Sequence, residues 1–269
     1  MTGLLFAVGL SACSFTPRSS AFIPAESPIV AGHLTGGGVG PAVVQPSDDP
    51  EAAALLPEPD LTVRPEVERQ VADLRRCRRF IEQAVLRREE YLPLIQEIFA
   101  EEAVPLDLVN VALIESGFNP HARSYAGAVG MWQFMRSTGR NYGLQITRKV
   151  DERKNVALST RAAARHLRDL FEIYGDWYLA LGAYNAGVGG INRAIKRAGS
   201  EDFWTVAKKG RLKRQTIDYV PRFIAATLIV NDLAGHGFEA LAQNIESMRL
   251  AKNGTVPGSE IDRASYRPR

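Results

Sequence analysis

One carboxylate is placed unusually. Glu115 closes the apolar run Ala112-Leu113-Ile114 and is followed by Ser116-Gly117-Phe118-Asn119-Pro120. Gly117 stops a helix and Asn119-Pro120 prevents its resumption, so Glu115 belongs to a helix C-terminus. Three effects then raise its pKa. Apolar neighbours desolvate the charged form. The negative end of the helix disfavours another negative charge. No Lys or Arg stands within four positions on either side. A carboxylic acid kept protonated near neutral pH is what general-acid cleavage of a glycosidic bond needs. A capped, exposed glutamate would show the same local sequence, so position alone leaves both readings open.

Three other segments supply partners for such an acid. Gly130-Met131-Trp132-Gln133-Phe134 sets an amide among large apolar groups, Ala183-Tyr184-Asn185-Ala186-Gly187 puts a phenol and an amide at a helix end, and Tyr219-Val220-Pro221 adds a second phenol. Amides and phenols beside aromatic faces suit an uncharged N-acetylated sugar, which asks for hydrogen-bond partners and flat apolar surface. Other chemistries find no support. His33, His121, His166 and His236 are far apart and no Cys joins them, so no metal site is expected. Ser116 is not in a G-x-S-x-G elbow. Gly187-Val188-Gly189-Gly190 follows no strand and makes a poor phosphate loop. No cofactor is expected.

The elements that must position these groups read as helices. Val67, Val71, Leu74, Ile81 and Val85 recur at helical spacing from Pro65 to Arg88, with Arg75, Arg76, Arg78, Arg79, Arg87 and Arg88 on the opposite, solvated face. Pro93 and Pro105 suit first helical positions. Leu94, Ile95, Ile98 and Phe99 give one short helix its stripe; Leu106, Val109, Ala112 and Leu113 give the next its core face. Further helices are expected over 130–142, over 155–174 with Leu158, Ala163, Leu167, Leu170, Phe171 and Tyr174 as the stripe, and over 177–185 behind an Asp176 cap. Another ends at Gly199, a short turn is capped by Ser200, and the last, over 215–233, contains Pro221, which should kink or split it. No alternating strand pattern is present, so the fold class is all-α.

Composition bounds the rest. The chain has 269 residues, 45% hydrophobic and 23% charged, with a formal net charge of +3. Residues 14–60 hold one basic residue, Arg18, against six acidic ones, which leaves the remainder at a formal +8. A mildly basic body fits an anionic polymer and is too weakly charged for a nucleic-acid binder. Cys13 and Cys77 are not expected to pair. Leu4 to Leu10 resembles the apolar core of a secretory leader, and Leu10-Ser11-Ala12-Cys13 resembles a bacterial lipobox, although no Lys or Arg precedes the run. Residues 14–60 hold eight prolines and five glycines, which is the composition of a flexible tether. The expected organisation is a leader over 1–13 with lipidation at Cys13, a tether over 14–62, an N-terminal helix over 63–90, a catalytic domain over 91–235 and a largely disordered tail over 236–269 with a weak helical run to Leu250.

The motifs Glu115-Ser116-x-Phe118, Gly130-x-x-Gln133, Ala183-Tyr184-Asn185-x-Gly187 and the late Tyr219 occur in order and at fitting spacing. Together they resemble the family 1 lytic transglycosylases, murein-cleaving enzymes with a goose-type lysozyme-like helical domain. Ser137 to Leu144 and Tyr219-Val220-Pro221 look most like the D branch of the membrane-bound members. The resemblance covers residues 65–235. Members of that branch usually carry C-terminal wall-binding LysM repeats; nothing after residue 235 resembles one, so wall retention is expected to rest on the lipid anchor and the basic surface. Trp132 and Phe134 are bulkier than some family choices and are expected to reshape the subsite beside Gln133.

The resemblance implies that Glu115 protonates the β-1,4 bond between N-acetylmuramic acid and N-acetylglucosamine, with help from the muramyl N-acetyl group. Glu115 then acts as base on the C6 hydroxyl, giving a 1,6-anhydromuramyl end without consuming water. Ser116, Gln133, Tyr184, Asn185 and Tyr219 match positions that line the family's cleft. The implied partners are peptidoglycan glycan strands and, through the anchor, the periplasmic face of the outer membrane; no nucleic acid is implied, and the chain is expected to act as a monomer. Two readings stay open: a muramidase on the same scaffold, which needs a second carboxylate such as Asp151, Glu152 or Asp176, and a non-catalytic wall-binding lipoprotein.

Overall fold

A computed structural model of the protein describes residues 56–252. The expected leader, Cys13, most of the tether and residues 253–269 lie outside the described residues. Among the described residues the regular structure is helical, with three isolated bridges and no strand, as the sequence pattern requires.

The N-terminal helical run is two helices. Helix α1 spans Pro65–Arg76 and α2 spans Arg78–Glu101, and the chain breaks at Cys77 (φ −87°, ψ 42°). Pro93 lies inside α2 on its exposed face, so neither a boundary near residue 90 nor a new start at Pro93 is present. The arginines of this region also divide differently. Arg88 is buried and pairs with Glu89, and Arg87 donates to the Gly117 carbonyl (2.9 Å), so these two do not belong to a solvated face.

A 3-10 turn, Leu106–Val109, leads into α3, Asn110–Ser116. Leu94 and Leu106, each 37% exposed, drop out of the expected stripes, while Ile95, Ile98, Phe99, Val109, Ala112 and Leu113 are buried as expected and Leu108 joins them. Five consecutive α3 residues, Asn110 to Ile114, are buried. The helix ends at Gly117 in the left-handed region (φ 60°), where a Cβ would come within 2.9 Å of the Phe80 ring. That contact and the positive φ both demand glycine.

The helix expected over 130–142 is only α4, Arg136–Asn141. Residues before it form a compact turn, with Val129 and Phe134 exchanging backbone hydrogen bonds of 3.1 Å and with Gly130 (φ 90°) and Gln133 (φ 51°) left-handed. The buried Arg153 guanidinium fastens this turn by donating to the Gly127 and Phe134 carbonyls, both at 3.0 Å, while Asp151 holds it from the other side.

Helix α5 is Val156–Tyr174, capped by Asn155 and stopped by Gly175 (φ 63°); α6 is Trp177–Ala186, capped by Asp176. Leu158 lies on the exposed side of α5, outside the stripe. Helix α7 is Val188–Ala198, ended by Gly199. Helix α8, Phe203–Lys209, is capped by Asp202, which accepts from Thr205 N (2.7 Å). Ser200 instead accepts from Asp202 N, two positions too early to be the cap. Helix α9, Arg214–Asn231, runs unbroken through Pro221. The weak run near the end is α10, Glu239–Lys252; Phe238, Leu241 and Ile245 are buried, and Arg249 clasps Glu89 of α2 with two bonds of 2.9 Å. Far from loose, this part of the tail is docked.

Helix α9 is central to the packing, touching α1, α3 and α6. The pairs Asn110–Thr227 and Glu115–Tyr219 step in opposite directions along α3 and α9, so the two helices run antiparallel. Glu115, in the last turn of α3, thus meets Tyr219, in the first half of α9.

Candidate active site

Glu115 stands in the last turn of α3, whose short length leaves its carboxyl beside an unsatisfied helix end. Its side chain keeps partial exposure, yet the carboxyl is closely ringed by protein. Burial raises its pKa from 4.5 to about 7; a hydrogen bond from Tyr219 and the charge of Arg222 oppose the rise. Tyr219 Oη donates to Glu115 Oε1 at 2.7 Å. Burial, and then the charge of Glu115, hold the Tyr219 phenol well above the ordinary range, so it remains a donor. Arg222, one turn further along α9, donates to Gln70 of α1 at 3.2 Å. The N-terminal helix therefore helps to fix a cation that acts on the acid.

Tyr184 is close enough that the charge of Glu115 helps raise its pKa, after burial. Its hydroxyl donates to the Trp132 carbonyl (2.9 Å). Ser116 spends its hydroxyl in the same way, donating to the Met131 carbonyl (2.6 Å) while accepting from Asn119 N (3.1 Å). Tyr184 and Ser116 thus bind the 130–134 turn to the end of α3, and their protons are already committed to the backbone. Gln133 donates to the Gly130 carbonyl (2.8 Å), which leaves its amide oxygen buried with no partner among the described residues. Asn185 accepts from Thr216 (2.9 Å), so its carbonyl is fixed and its amide N–H₂ is left over.

The aromatic surface is not where the sequence suggested. Trp132 is 0% exposed, packs against Phe99 and donates its indole N–H to Thr160 (3.0 Å); Phe134 is also buried. Both are core and cannot reshape a subsite by direct contact. Tyr219 bonds to Glu115 and Tyr184 feels its charge, while Gln133 is linked to them only through the turn that Ser116 and Tyr184 hold; Arg222, the Arg87 anchor on Gly117 and the Thr216 support were not foreseen. Long-range pairings of this kind leave no local spacing signal.

Asp151, Glu152 and Asp176 all have other work. Asp151 pairs with Arg153 (2.8 Å), Glu152 accepts from Gln145 N (2.6 Å) and Asp176 caps α6. Among the described residues no carboxylate is one of the groups that shift Glu115. Among the described residues the site is one raised-pKa acid bonded to the Tyr219 phenol, with the Tyr184 phenol close by.

Residues 94–207 match the family model described as the transglycosylase SLT domain. Over these residues the chain is similar to an SLT domain. The matched segment contains Glu115, Ser116, Gln133, Tyr184 and Asn185 and ends before Tyr219. Over 182 residues the chain is 38% identical to the membrane-bound lytic murein transglycosylase D of Escherichia coli, covering 66% of this chain and 39% of that protein. It is 33% identical over 135 residues to the membrane-bound lytic murein transglycosylase F of Pseudoalteromonas translucida, covering 45% and 27% respectively. The chain therefore spans about two fifths of the length of the E. coli relative. A solved lytic transglycosylase Slt from Pseudomonas aeruginosa overlays with a TM-score of 0.45 at 20% identity, covering 54% of this chain and 24% of that one.

Proposed function

We propose that the protein is a peptidoglycan lytic transglycosylase that cleaves the β-1,4 bond between N-acetylmuramic acid and N-acetylglucosamine and leaves 1,6-anhydromuramyl ends. The observation that carries the reading is the solitary Glu115 with its pKa near 7 inside a segment similar to an SLT domain. Such a group is protonated often enough to act as acid and is a strong enough base afterwards. One carboxylate suffices when the substrate's own N-acetyl group assists departure and its C6 hydroxyl replaces water; the usual two-carboxylate scheme needs a second group nearby.

In this reading Tyr219 occupies Oε1, so Oε2 carries the proton to the glycosidic oxygen. Tyr219 and Arg222 favour the carboxylate that forms, and the same carboxylate then takes the C6 hydroxyl proton. The free Asn185 N–H₂ is a donor suited to an acetamido carbonyl, while the Gln133 oxygen is sealed and Gln133 serves the site through the turn it closes. Ser116 and Tyr184 act mainly by holding the 130–134 turn against α3.

The names of the relatives support an envelope setting, and we place the enzyme at the periplasmic face of the outer membrane, anchored through a lipidated Cys13. Palmitate labelling of wild type and Cys13→Ala tests the anchor; equal labelling counts against it.

Digestion of purified murein, followed by mass spectrometry of the soluble products, tests the reaction. Anhydromuramyl ends are expected. Reducing ends would instead make it a muramidase. Glu115→Gln should lower turnover by at least about 10³-fold, since acid and base are the same group. Retained turnover in that variant would sink the assignment of Glu115.

A further inference from the structure

Behind Tyr184 lies a group that the proposed reaction leaves unused. The His166 ring of α5 sits among three aromatic rings, with centroids 5.2 Å from Tyr184, 4.9 Å from Tyr142 and 6.3 Å from Phe134. Its Nδ1 is 3.0 Å from the Tyr142 hydroxyl, and that hydroxyl donates to Asp169 (2.8 Å). A phenol has one proton, and the carboxylate claims it. The Tyr142 oxygen must therefore accept from Nδ1–H, which fixes the tautomer and leaves the lone pair on Nε2. Burial pushes the imidazole down to about 4, so the ring is neutral wherever the enzyme works.

Nε2 has no partner among the described residues, is not one of their sealed polar atoms, and belongs to a partly exposed side chain. Tyr184 responds to the charges of both Glu115 and Tyr142 and its ring lies against His166, so it is near the acid and this cluster alike. The arrangement is a fixed, neutral acceptor beside aromatic faces, one side chain away from the reacting centre. Such a group accepts a hydrogen bond from a donor, and a relay of two hydrogen bonds holds it in the accepting tautomer.

We propose that His166 contacts the substrate, with Nε2 accepting a hydrogen bond from a hydroxyl or acetamido N–H of the glycan on the Tyr184 side of Glu115. This rests on the glycan reading above. The test uses a murein-derived tetrasaccharide of alternating N-acetylglucosamine and N-acetylmuramic acid, titrated calorimetrically into the Glu115→Gln protein. Adding His166→Phe keeps a ring and removes the acceptor; binding should weaken about tenfold. His166→Gln restores an acceptor and should bind within about threefold of the parent. Tyr142→Phe frees the tautomer and should weaken binding by roughly threefold. With Glu115 intact, His166→Phe should raise KM about tenfold and lower kcat by less than about threefold.

Unchanged binding in His166→Phe overturns the proposal, and so does a drop in melting temperature with no change in Kd, which marks a packing role. If His166→Phe does not fold, His166→Gln and Tyr142→Phe decide: equal weakening in both without rescue by Gln refutes an acceptor role. If the Glu115→Gln protein binds no tetrasaccharide and wild type releases no anhydro products, the transglycosylase reading fails and this inference falls with it. Wild-type cleavage with an indifferent His166 fails the inference alone.

Discussion

Tyr219 Oη and Glu115 Oε1 are 2.7 Å apart although 104 residues separate them in the chain. This one bond differentiates the two carboxyl oxygens. Oε1 accepts from a phenol that keeps its proton, so the acid proton resides on Oε2. The bond also favours the ionised carboxylate, which sets it against the burial that raises the pKa. The acid is thus poised near neutrality by two opposed effects from different elements, the closed end of α3 and the buried face of α9.

The pH profile follows from that balance. Cleavage begins with a protonated Glu115, so kcat/KM should fall as pH rises through about 7. Tyr219→Phe removes the bond that favours the carboxylate, and the alkaline limb should move up by about 0.5–1 pH unit. Its peak rate should fall, because the base step loses the same support. Initial rates on murein between pH 5 and 9 check both. A limb that stays in place shows that Tyr219 does not tune the acid.

Stability carries the opposite signature of an ordinary ion-paired carboxylate. Glu115 has a folded pKa of about 7 against 4.5 when unfolded. At low pH both states hold the proton and no difference arises. Between the two values the unfolded chain ionises first, so stability falls with rising pH and the loss is complete above the folded value. The full shift corresponds to about 3 kcal/mol, and partial exposure reduces this to about 1–2 kcal/mol. Glu115→Gln should therefore melt roughly 2–6 °C above wild type at pH 8 and level with it at pH 4. Thermal scans at both values test this; an equal offset at each would exclude a raised pKa.

Legibility in the sequence tracks how local each cause is. Glu115 could be read because its apolar run, its stop signal and its lack of nearby cations are all within a few residues. The cap at Asp176 and the stops at Gly175 and Gly199 are local for the same reason. Cys77 breaks a helix without Gly or Pro, so nothing announced it. Trp132 beside Gln133 looked like a sugar platform, but its indole N–H finds Thr160 in the core, a fact of tertiary packing. Arg87 and Arg88 looked like a solvated face because their partners are Gly117, far ahead in the chain, and a glutamate whose burial depends on α10. The weak α10 run gains its order from docking on α2, since short isolated helices are marginal in water.

Asn185 offers a test of support without contact. Thr216 donates to its carbonyl oxygen at 2.9 Å, and Thr216 itself is buried. Thr216→Val keeps the shape and removes the donor. The Asn185 amide then loses its fixed orientation, and an unpaired acceptor costs about 1–2 kcal/mol. The expected result is a several-fold rise in KM for murein fragments with a small loss of melting temperature. If KM stays at the wild-type value, the orientation of Asn185 does not matter to substrate.

Gly130 is where the 122–134 turn is most constrained. Its φ is +90°, and a Cβ there would lie 1.9 Å from the Arg153 carbonyl oxygen. Arg153 cannot yield, because its guanidinium holds the Gly127 and Phe134 carbonyls and its carboxylate partner is Asp151. Gly130→Ala therefore combines left-handed strain with a backbone collision and should cost about 3 kcal/mol or more. Gly127 is the internal comparison: its φ is +88°, yet nothing lies within 4 Å of its Cβ position. Gly127→Ala should carry the strain alone, about 1–2 kcal/mol. Because Gln133, Met131 and Trp132 all hang on this turn and are tied to Ser116 and Tyr184, Gly130→Ala should also lose cleavage below its melting temperature, while Gly127→Ala retains it. Urea unfolding of the two variants, with murein release measured alongside, separates strain from collision. Equal losses in both would mean that the close approach of Arg153 contributes nothing.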